Sequence, residues 1–250
     1  MATARRRTAL ITGAGRNIGR ACALDLARDG FNVVINGSKN RAACDAVAAE
    51  AVKAGVGVVV ALGDVGTPDD CARIAQIAID NFGGVDVLIN NAAIRPAKPF
   101  LAITDAEWRR VMAVDLDAAV WLSRACLHGM VERKWGRIVN FTGMNAMQGT
   151  GGRPPVSVAK HGVWGLTKAL AREFGPLGIT VNAISPGPIA GDRDNDDPAS
   201  VAHRQETVKR VPAGRMGTAA EVAAAVRLLI SDGGAFINGQ MIQVNGGAET

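Results

Sequence analysis

Residues 8–19 read TALITGAGRNIG and join a short apolar run to a glycine-rich turn. Thr8–Ile11 has the apolar composition of a strand that is covered on both faces. The glycines that follow allow a tight turn and let bare backbone come close to a ligand, and the next helix offers that ligand its unpaired N–H groups. The stretch therefore predicts a strand, turn and helix unit that binds an anion such as a pyrophosphate.

Six more short apolar runs follow, and alanine-rich helical segments separate them. The predicted strands are 32–35, 57–61, 85–89, 137–141, 179–184 and 241–244, and the predicted helices are 17–29, 40–54, 69–81, 105–131, 156–174 and 218–231. Such alternation predicts βαβ crossovers. We therefore expect a single α/β domain over residues 1–250, with a Rossmann-like doubly wound parallel sheet of about seven strands and helices on both faces.

Residues 191–215 form the least regular part of the sequence. This segment is polar, contains two prolines and begins with the aspartates Asp192, Asp194, Asp196 and Asp197. Segments of this kind often cover a ligand crevice. We expect a mobile excursion over the substrate here, and a static surface loop is the alternative.

The composition argues against several function classes. The net charge is +5, but beyond a small basic cluster at residues 5–7 the two signs are mixed, so we expect no nucleic-acid partner. No apolar run reaches about 18 residues and no export segment is evident, which predicts a cytoplasmic protein without membrane partners. The four cysteines lie far apart, which predicts small buried residues rather than a disulfide framework or a metal site.

Further motifs extend the pattern of the first turn along the chain. The turn matches TGxxxGxG except at Asn17, and it is followed by Asp64-Val65, Asn90-Asn91-Ala92-Ala93, GRIVN at 136–140, NAISPG at 182–187 and NGG at 245–247. Together these motifs resemble the short-chain dehydrogenase/reductase family, in particular its 3-oxoacyl-[acyl-carrier-protein] reductase-like members. The resemblance covers residues 7–248.

The resemblance implies a dinucleotide crevice. The positions that match the family's cofactor-binding residues are Gly13, Arg16, Asn17, Ile18, Gly19, Ser38, Lys39, Asp64, Val65, Asn91, Ala92, Lys160, Pro186 and Gly187. Asp64 and Val65 stand where the family binds adenine. Asn17 replaces a glycine, but asparagine tolerates left-handed backbone angles and also caps helices, so we expect the turn to persist.

The charge at the end of the second strand favours NADP over NAD. NAD-selective sites place an acid about 20 residues beyond the glycine turn, on the ribose 2′-hydroxyl. Here residues 36–41 read NGSKNR without an acid, and Arg16 adds a cation in the turn. A 2′-phosphate would find donors there. We predict NADP as the cofactor, with NAD less favoured; the alternative is that Lys39 and Arg41 are ordinary exposed charges.

The resemblance breaks at the catalytic end. The family uses a tyrosine and a lysine four residues apart, a serine after the fifth strand and an asparagine on the preceding long helix. Lys160 matches the lysine, and Asp115 stands at the asparagine. Val156 replaces the tyrosine and Gly143 the serine, although a slip of one residue would make Thr142 the surviving hydroxyl. The chain contains no tyrosine at all, so it loses a general acid that typically contributes about 10²–10⁴-fold.

The catalytic candidates are therefore Lys160, Asp115 and Ser157. We expect Asp115 to pair with Lys160 and to preserve its ribose-binding geometry. Ser157 lies three residues before Lys160 on one helix face, a spacing known for lysine-activated serines, although plain packing is the commoner explanation. His161 projects about 100° away from Lys160 and is a weaker candidate.

Three functions remain open at this point. The first is an NADP-dependent oxidoreductase with altered proton handling, acting on a small molecule such as a conjugated alkene or an iminium. The second is a non-redox enzyme, a lyase or hydrolase, on the same fold, and the third is a catalytically silent nucleotide-binding subunit. The family also implies a homotetramer. Arg95 and Arg153 lie on loops that should border the crevice, and they favour an anionic substrate unless they are simply solvated.

Overall fold

A parallel sheet of seven strands organises residues 5–191 and 198–249, the part of the chain that this computed structural model describes. The strands are β1 (Thr8–Ile11), β2 (Asn32–Gly37), β3 (Val58–Leu62), β4 (Val87–Asn90), β5 (Gly136–Phe141), β6 (Ile179–Pro186) and β7 (Met241–Val244). They lie in the order β3-β2-β1-β4-β5-β6-β7, and every neighbouring pair is parallel. This confirms the predicted doubly wound fold. The order reverses between β1 and β4, where such sheets bind ligands.

Helices cover both faces of the sheet. They are α1 (Asn17–Arg28), α2 (Arg41–Ala51), α3 (Pro68–Phe82), α4 (Asp105–Met112), α5 (Ala118–Glu132), α6 (Pro154–Phe174), α7 (Pro198–Val208) and α8 (Ala219–Ile230). One apolar core lies under α1, α2 and α8, and the other lies under α3 and α5, with part of α6. All four residues of β1 are buried, which explains why its sequence is a continuous apolar run rather than an alternating one.

The predicted single helix over residues 105–131 is wrong in its middle. α4 and α5 are joined by a π-helical turn, Ala113–Asp117, which buries Asp115. A π turn accommodates an extra residue within a helix, and such turns are frequent at functional sites. No residue type marks it in the sequence, because it depends on which carbonyl each N–H reaches.

The irregular segment at 191–215 also needs a correction. It contains α7, which begins with Pro198 at a position where a helix tolerates proline. Residues 192–197, with the four aspartates, lie outside the described residues. The mobility of this excursion stays a prediction.

The four cysteines are buried and unpaired, as predicted. Burial raises the pKa of Cys22, Cys71 and Cys126 to about 12 in each case. Thiols with such pKa values are poor nucleophiles and poor metal ligands, so these residues act as small core side chains.

Candidate active site

The turn between β1 and α1 is tight, and two of its residues have left-handed backbone angles. Gly13 has φ +63° and Asn17 has φ +47°, so asparagine adopts the left-handed angle that the family's glycine would take. A Cβ at Gly19 would collide with the carbonyl oxygen of Gly13 and lie 2.9 Å from the Cα of Ala14. Among the described residues, the amides of Ile18 and Gly19 have no acceptor, as is usual where a helix begins.

A hydrogen-bond network fixes this turn against the end of β4. The Thr12 Oγ1 accepts hydrogen bonds from the amides of Asn91 at 2.9 Å and Ala92 at 3.0 Å. The Asn91 Nδ2 donates to the carbonyl oxygens of Thr12 at 2.8 Å and Gly13 at 3.2 Å. Two separately predicted segments of the cofactor site therefore lie side by side.

The edge at which we predict the 2′-phosphate is open and carries positive charge. Ser38 and Lys39 are exposed after β2, and Arg16 is exposed at the start of α1. Within the described ranges, neither Lys39 nor Arg16 has an ion-pair partner. Arg41 is engaged, because its Nε lies 3.2 Å from the Asp45 carboxylate. Lys39 and Arg16 are therefore the available cations.

Asp64 and Val65 follow β3 as expected, but Asp64 already has partners. Arg110 Nη2 lies 2.8 Å from the Asp64 Oδ2, and the Gly66 amide donates to the Oδ1 at 2.9 Å. Partial burial opposes ionisation, but these two donors outweigh it and lower the pKa of Asp64. The carboxylate is thus ionised and oriented at neutral pH.

Pro186 ends β6 at the same edge of the sheet, and Gly187 follows it. The Gly187 amide donates to the Val244 carbonyl oxygen at 3.0 Å. A Cβ at Gly187 would lie 2.6 Å from the Cα of Asn245, so this crossing of two chain segments requires glycine.

Lys160 and Asp115 form a buried ion pair, which confirms the predicted pairing. The Lys160 Nζ lies 3.5 Å from the Asp115 Oδ2, and the side chains are 4% and 0% exposed. The Nζ also donates to the Phe141 carbonyl oxygen at 3.0 Å. The second carboxylate oxygen, Oδ1, accepts a hydrogen bond from the Ile94 amide at 2.8 Å.

The low dielectric around this pair brings its two pKa values towards each other. Burial lowers the pKa of Lys160, and Asp115 opposes that shift. Burial raises the pKa of Asp115, and Lys160 opposes that shift in turn. A proton therefore passes between these groups at a lower free-energy cost than between a free lysine and a free aspartate.

The other family positions provide no hydroxyl to the crevice. Val156 is fully buried at the tyrosine position. Gly143 has φ +77° and ψ 174°, angles that are essentially restricted to glycine. The Thr142 hydroxyl is buried and donates to the Ile184 carbonyl oxygen at 3.1 Å, so it is engaged with β6 rather than presented to a substrate.

The structure does not bring Ser157 into a hydrogen bond with Lys160. The Ser157 Oγ accepts from the Thr150 amide at 3.2 Å, and the His161 Nδ1 lies 2.9 Å from the Ser157 carbonyl oxygen. These contacts are those of a packed helix start. A catalytic role of Ser157 stays a prediction.

Three partners of the site were not predicted from the sequence. Phe141 and Ile94 contribute backbone groups, and any residue type supplies those. Arg110 lies 46 residues from Asp64, and no local spacing connects them. The only available signal was that a buried lysine and a buried aspartate need further partners.

Comparisons with known proteins agree with this geometry. A family model described as Enoyl-(Acyl carrier protein) reductase matches residues 13–249. The chain is 36% identical over 240 residues to a 3-oxoacyl-[acyl-carrier-protein] reductase of Synechocystis sp., which covers 96% of this chain and 95% of the relative. The chain belongs to the short-chain dehydrogenase/reductase family. A 3-oxoacyl-[acyl-carrier-protein] reductase of Pseudomonas aeruginosa is 37% identical over 245 residues, which covers 96% of each chain.

A solved structure of this family has the same fold. It is a Beutenbergia cavernae protein assigned as an NAD(P)-dependent gluconate 5-dehydrogenase, with NADP bound at low occupancy. The TM-score is 0.89 at 34% identity, and the match covers 98% of each chain. In the described part of this chain, no helix is long and apolar enough to cross a membrane, and no cluster of side chains suits a metal ion.

Proposed function

We propose that this short-chain dehydrogenase/reductase is an NADP-dependent oxidoreductase of small molecules that handles protons with its Lys160–Asp115 pair. The observation that carries the proposal is a lysine kept in a buried ion pair, 3.5 Å from a carboxylate, in a chain without tyrosine. The family's asparagine would give Lys160 no counter-charge. Asp115 gives one and still accepts the hydrogen bond from Ile94.

The residues at the other end of the site fit a dinucleotide phosphate. The amides of Ile18 and Gly19 at the start of α1 would hold the pyrophosphate. Lys39 and Arg16, exposed and without acidic partners among the described residues, would hold a 2′-phosphate. When bound, NADPH supplies a hydride. The NADP-containing relative from Beutenbergia cavernae supports this choice.

Lys160 is suited to hold a transferable proton. An ammonium group has three hydrogens. One is donated to Phe141 and a second lies towards Asp115, which leaves one for a ribose hydroxyl or a substrate. Since burial lowers the pKa of Lys160, its Nζ is a stronger acid than that of a free lysine. A single weak acid suits a conjugated alkene or an iminium, in which charge is delocalised or neutralised, better than a ketone.

Two alternatives have less support. A lyase or hydrolase would need a nucleophile or base in the crevice, but the Ser157 hydroxyl is held by the Thr150 amide and His161 is exposed next to the Ser157 carbonyl. A catalytically silent subunit would have no use for a buried lysine and aspartate. Removing both would avoid the desolvation of two charges.

We also propose the homotetramer that the family implies. A groove of about 440 Å³ between α5 and α6 is lined by apolar side chains that include Leu127, Val131, Leu166, Leu170 and Phe174. Such a face is suited to a second copy of the chain. Sedimentation equilibrium tests this, and a monomer at micromolar concentration would contradict it.

The proposed reaction is tested by coenzyme binding and turnover. We expect calorimetry to show tighter binding of NADPH than of NADH, and nicotinamide absorbance to fall with a conjugated alkene or an iminium. The variant Lys160→Met/Asp115→Asn removes both charges and keeps an acceptor for the Ile94 amide, so it should fold but lose turnover. Failure to bind either coenzyme refutes the proposal. Binding without turnover would favour a silent subunit, and turnover without coenzyme consumption would favour a non-redox enzyme.

A further inference from the structure

An apolar cavity of about 550 Å³ lies between the loop after β4, α4 and the start of α6. Its apolar lining residues are Ile94, Pro96, Ile103, Val111 and Pro155. The volume falls within the range of roughly 300–1,000 Å³ that is typical of small-molecule sites, and a mostly apolar lining with few polar groups is also typical of them. The cavity is therefore large enough for a ligand with an apolar body.

The charged side chains around this cavity are paired with one exception. Lys98 Nζ lies 2.7 Å from the Glu107 carboxylate, and Arg110 lies 2.8 Å from Asp64. Arg95 also lines the cavity and is exposed, and within residues 5–191 and 198–249 it forms no ion pair closer than 4 Å, although its charge acts on the buried Asp115 carboxylate from a greater distance. A guanidinium presents a planar fork of N–H donors that matches a carboxylate. Arg95 thus offers the cavity a positive group whose donors are not engaged by a carboxylate of the described residues, and such a group is suited to an anion.

The cavity is connected to the Lys160–Asp115 pair through the backbone. Ile94 lines the cavity, and its amide donates to the Asp115 Oδ1 at 2.8 Å. The Lys98 amide donates to the Gly152 carbonyl oxygen at 2.8 Å, which joins the two loops that form the cavity. A ligand here would thus contact the segment that orients the buried carboxylate.

We infer that this cavity binds a small carboxylate with an apolar chain, its carboxylate on the guanidinium of Arg95 and its chain along the apolar walls. Binding at this cavity is a property separate from the proposed oxidoreductase function, because the contacts that would bind the ligand do not depend on a hydride transfer. The same carboxylate chemistry fits a substrate of the reaction and a ligand that does not react.

Calorimetry with defined probes tests the inference on the full chain without coenzyme. Octanoate is the probe, octanamide is its neutral counterpart, and acetate is an anion without an apolar body. We expect octanoate to bind at least about tenfold more tightly than either control, because both a charge-assisted hydrogen bond and apolar burial contribute. Equal binding of octanamide and octanoate, or no binding of octanoate, would overturn the inference.

Matched variants locate the binding. Arg95→Met should weaken octanoate binding at least about tenfold. Arg109→Met makes the same change at an exposed arginine of α4 outside the cavity lining, and it should leave binding unchanged. Ala106→Phe fills the cavity from an exposed helix position and should abolish binding without unfolding the chain. Octanoate binding that survives Arg95→Met would also overturn the inference.

A last measurement distinguishes a substrate of the reaction from a carboxylate that binds without reacting. 2-Octenoate, a conjugated alkene with the same carboxylate, is added to the chain with NADPH. If binding is accompanied by loss of nicotinamide absorbance, the cavity serves the substrate. If 2-octenoate binds without coenzyme consumption, the ligand is a non-reacting carboxylate. Both results support the inferred site, and only the first also supports the proposed reaction.

Discussion

Gly143→Ser should destabilise the protein, although it introduces the residue type that the family uses at this position. Gly143 has φ +77° and ψ 174°, and a non-glycine residue held in such a region costs about 1–3 kcal/mol. The cost is backbone strain rather than collision, because the nearest atom to a Cβ there, the Pro186 carbonyl oxygen, is 4.0 Å away. For a chain of this size the cost corresponds to a decrease in Tm of roughly 2–12 °C.

Thermal unfolding of two matched variants tests this expectation. Gly149→Ser makes the same change in the same loop, but Gly149 is exposed, has no positive φ, and a Cβ there would meet nothing within 4 Å. Its free energy of unfolding should differ from that of the wild type by no more than about 0.5 kcal/mol. If the two variants unfold at the same temperature, the reasoning about Gly143 fails.

The same calculation bears on restoring the family's hydroxyl pair. Val156 is fully buried, so Val156→Tyr places an aromatic ring where a smaller isopropyl group is packed. This should lower the free energy of unfolding by about 1–3 kcal/mol. The double variant Gly143→Ser/Val156→Tyr is therefore expected to lose about 2–6 kcal/mol in total. This is a large part of the roughly 5–15 kcal/mol by which a domain is usually stable.

Three further outcomes are expected. Asp115→Asn should lower the free energy of unfolding by about 3 kcal/mol at neutral pH, because the buried ammonium of Lys160 loses its counter-charge. In this variant the pKa of Lys160 falls further below its ordinary value of 10.5, so the folded state binds fewer protons than the unfolded state. The loss of unfolding free energy relative to the wild type should therefore become smaller as pH rises towards that value, which denaturant titrations at several pH values would show. Lys160→Met should weaken NADPH binding about tenfold or more in calorimetry, whereas Lys168→Met, on the exposed side of the same helix, should not. Lys39→Asp should shift the ratio of the NADPH and NADH dissociation constants towards NADH, and an unchanged ratio would contradict the assignment of the 2′-phosphate edge.

The sheet and the glycine turn were predictable because their physical requirements are local. A strand buried on both faces must be apolar throughout, and β1 and β5 are fully buried. Gly13 and Gly19 stand where the backbone needs a positive φ or where a Cβ would collide, so the residue type itself reports the conformation.

The errors lie where the structure depends on groups that any residue carries. The π turn at Ala113–Asp117 differs from a regular helix only in its backbone hydrogen bonds. The acceptor of Lys160 and the donor to Asp115 are backbone groups 19 and 21 residues away in sequence. α7 was missed because its polar composition contains no apolar period that would distinguish it from a loop.

The altered residues of the catalytic end form a consistent set around Lys160. In the family, this lysine lowers the pKa of a tyrosine, and without a tyrosine its buried charge would lack a counter-charge. Asp115 supplies one at 3.5 Å. Yet replacing a buried ion pair by apolar residues is often neutral or stabilises a protein by about 1–4 kcal/mol, so folding alone gives little reason to keep the pair. The pair is explained if Lys160 binds the coenzyme, as proposed above, and the glycine turn and the cationic edge at Lys39 would then form the rest of that site.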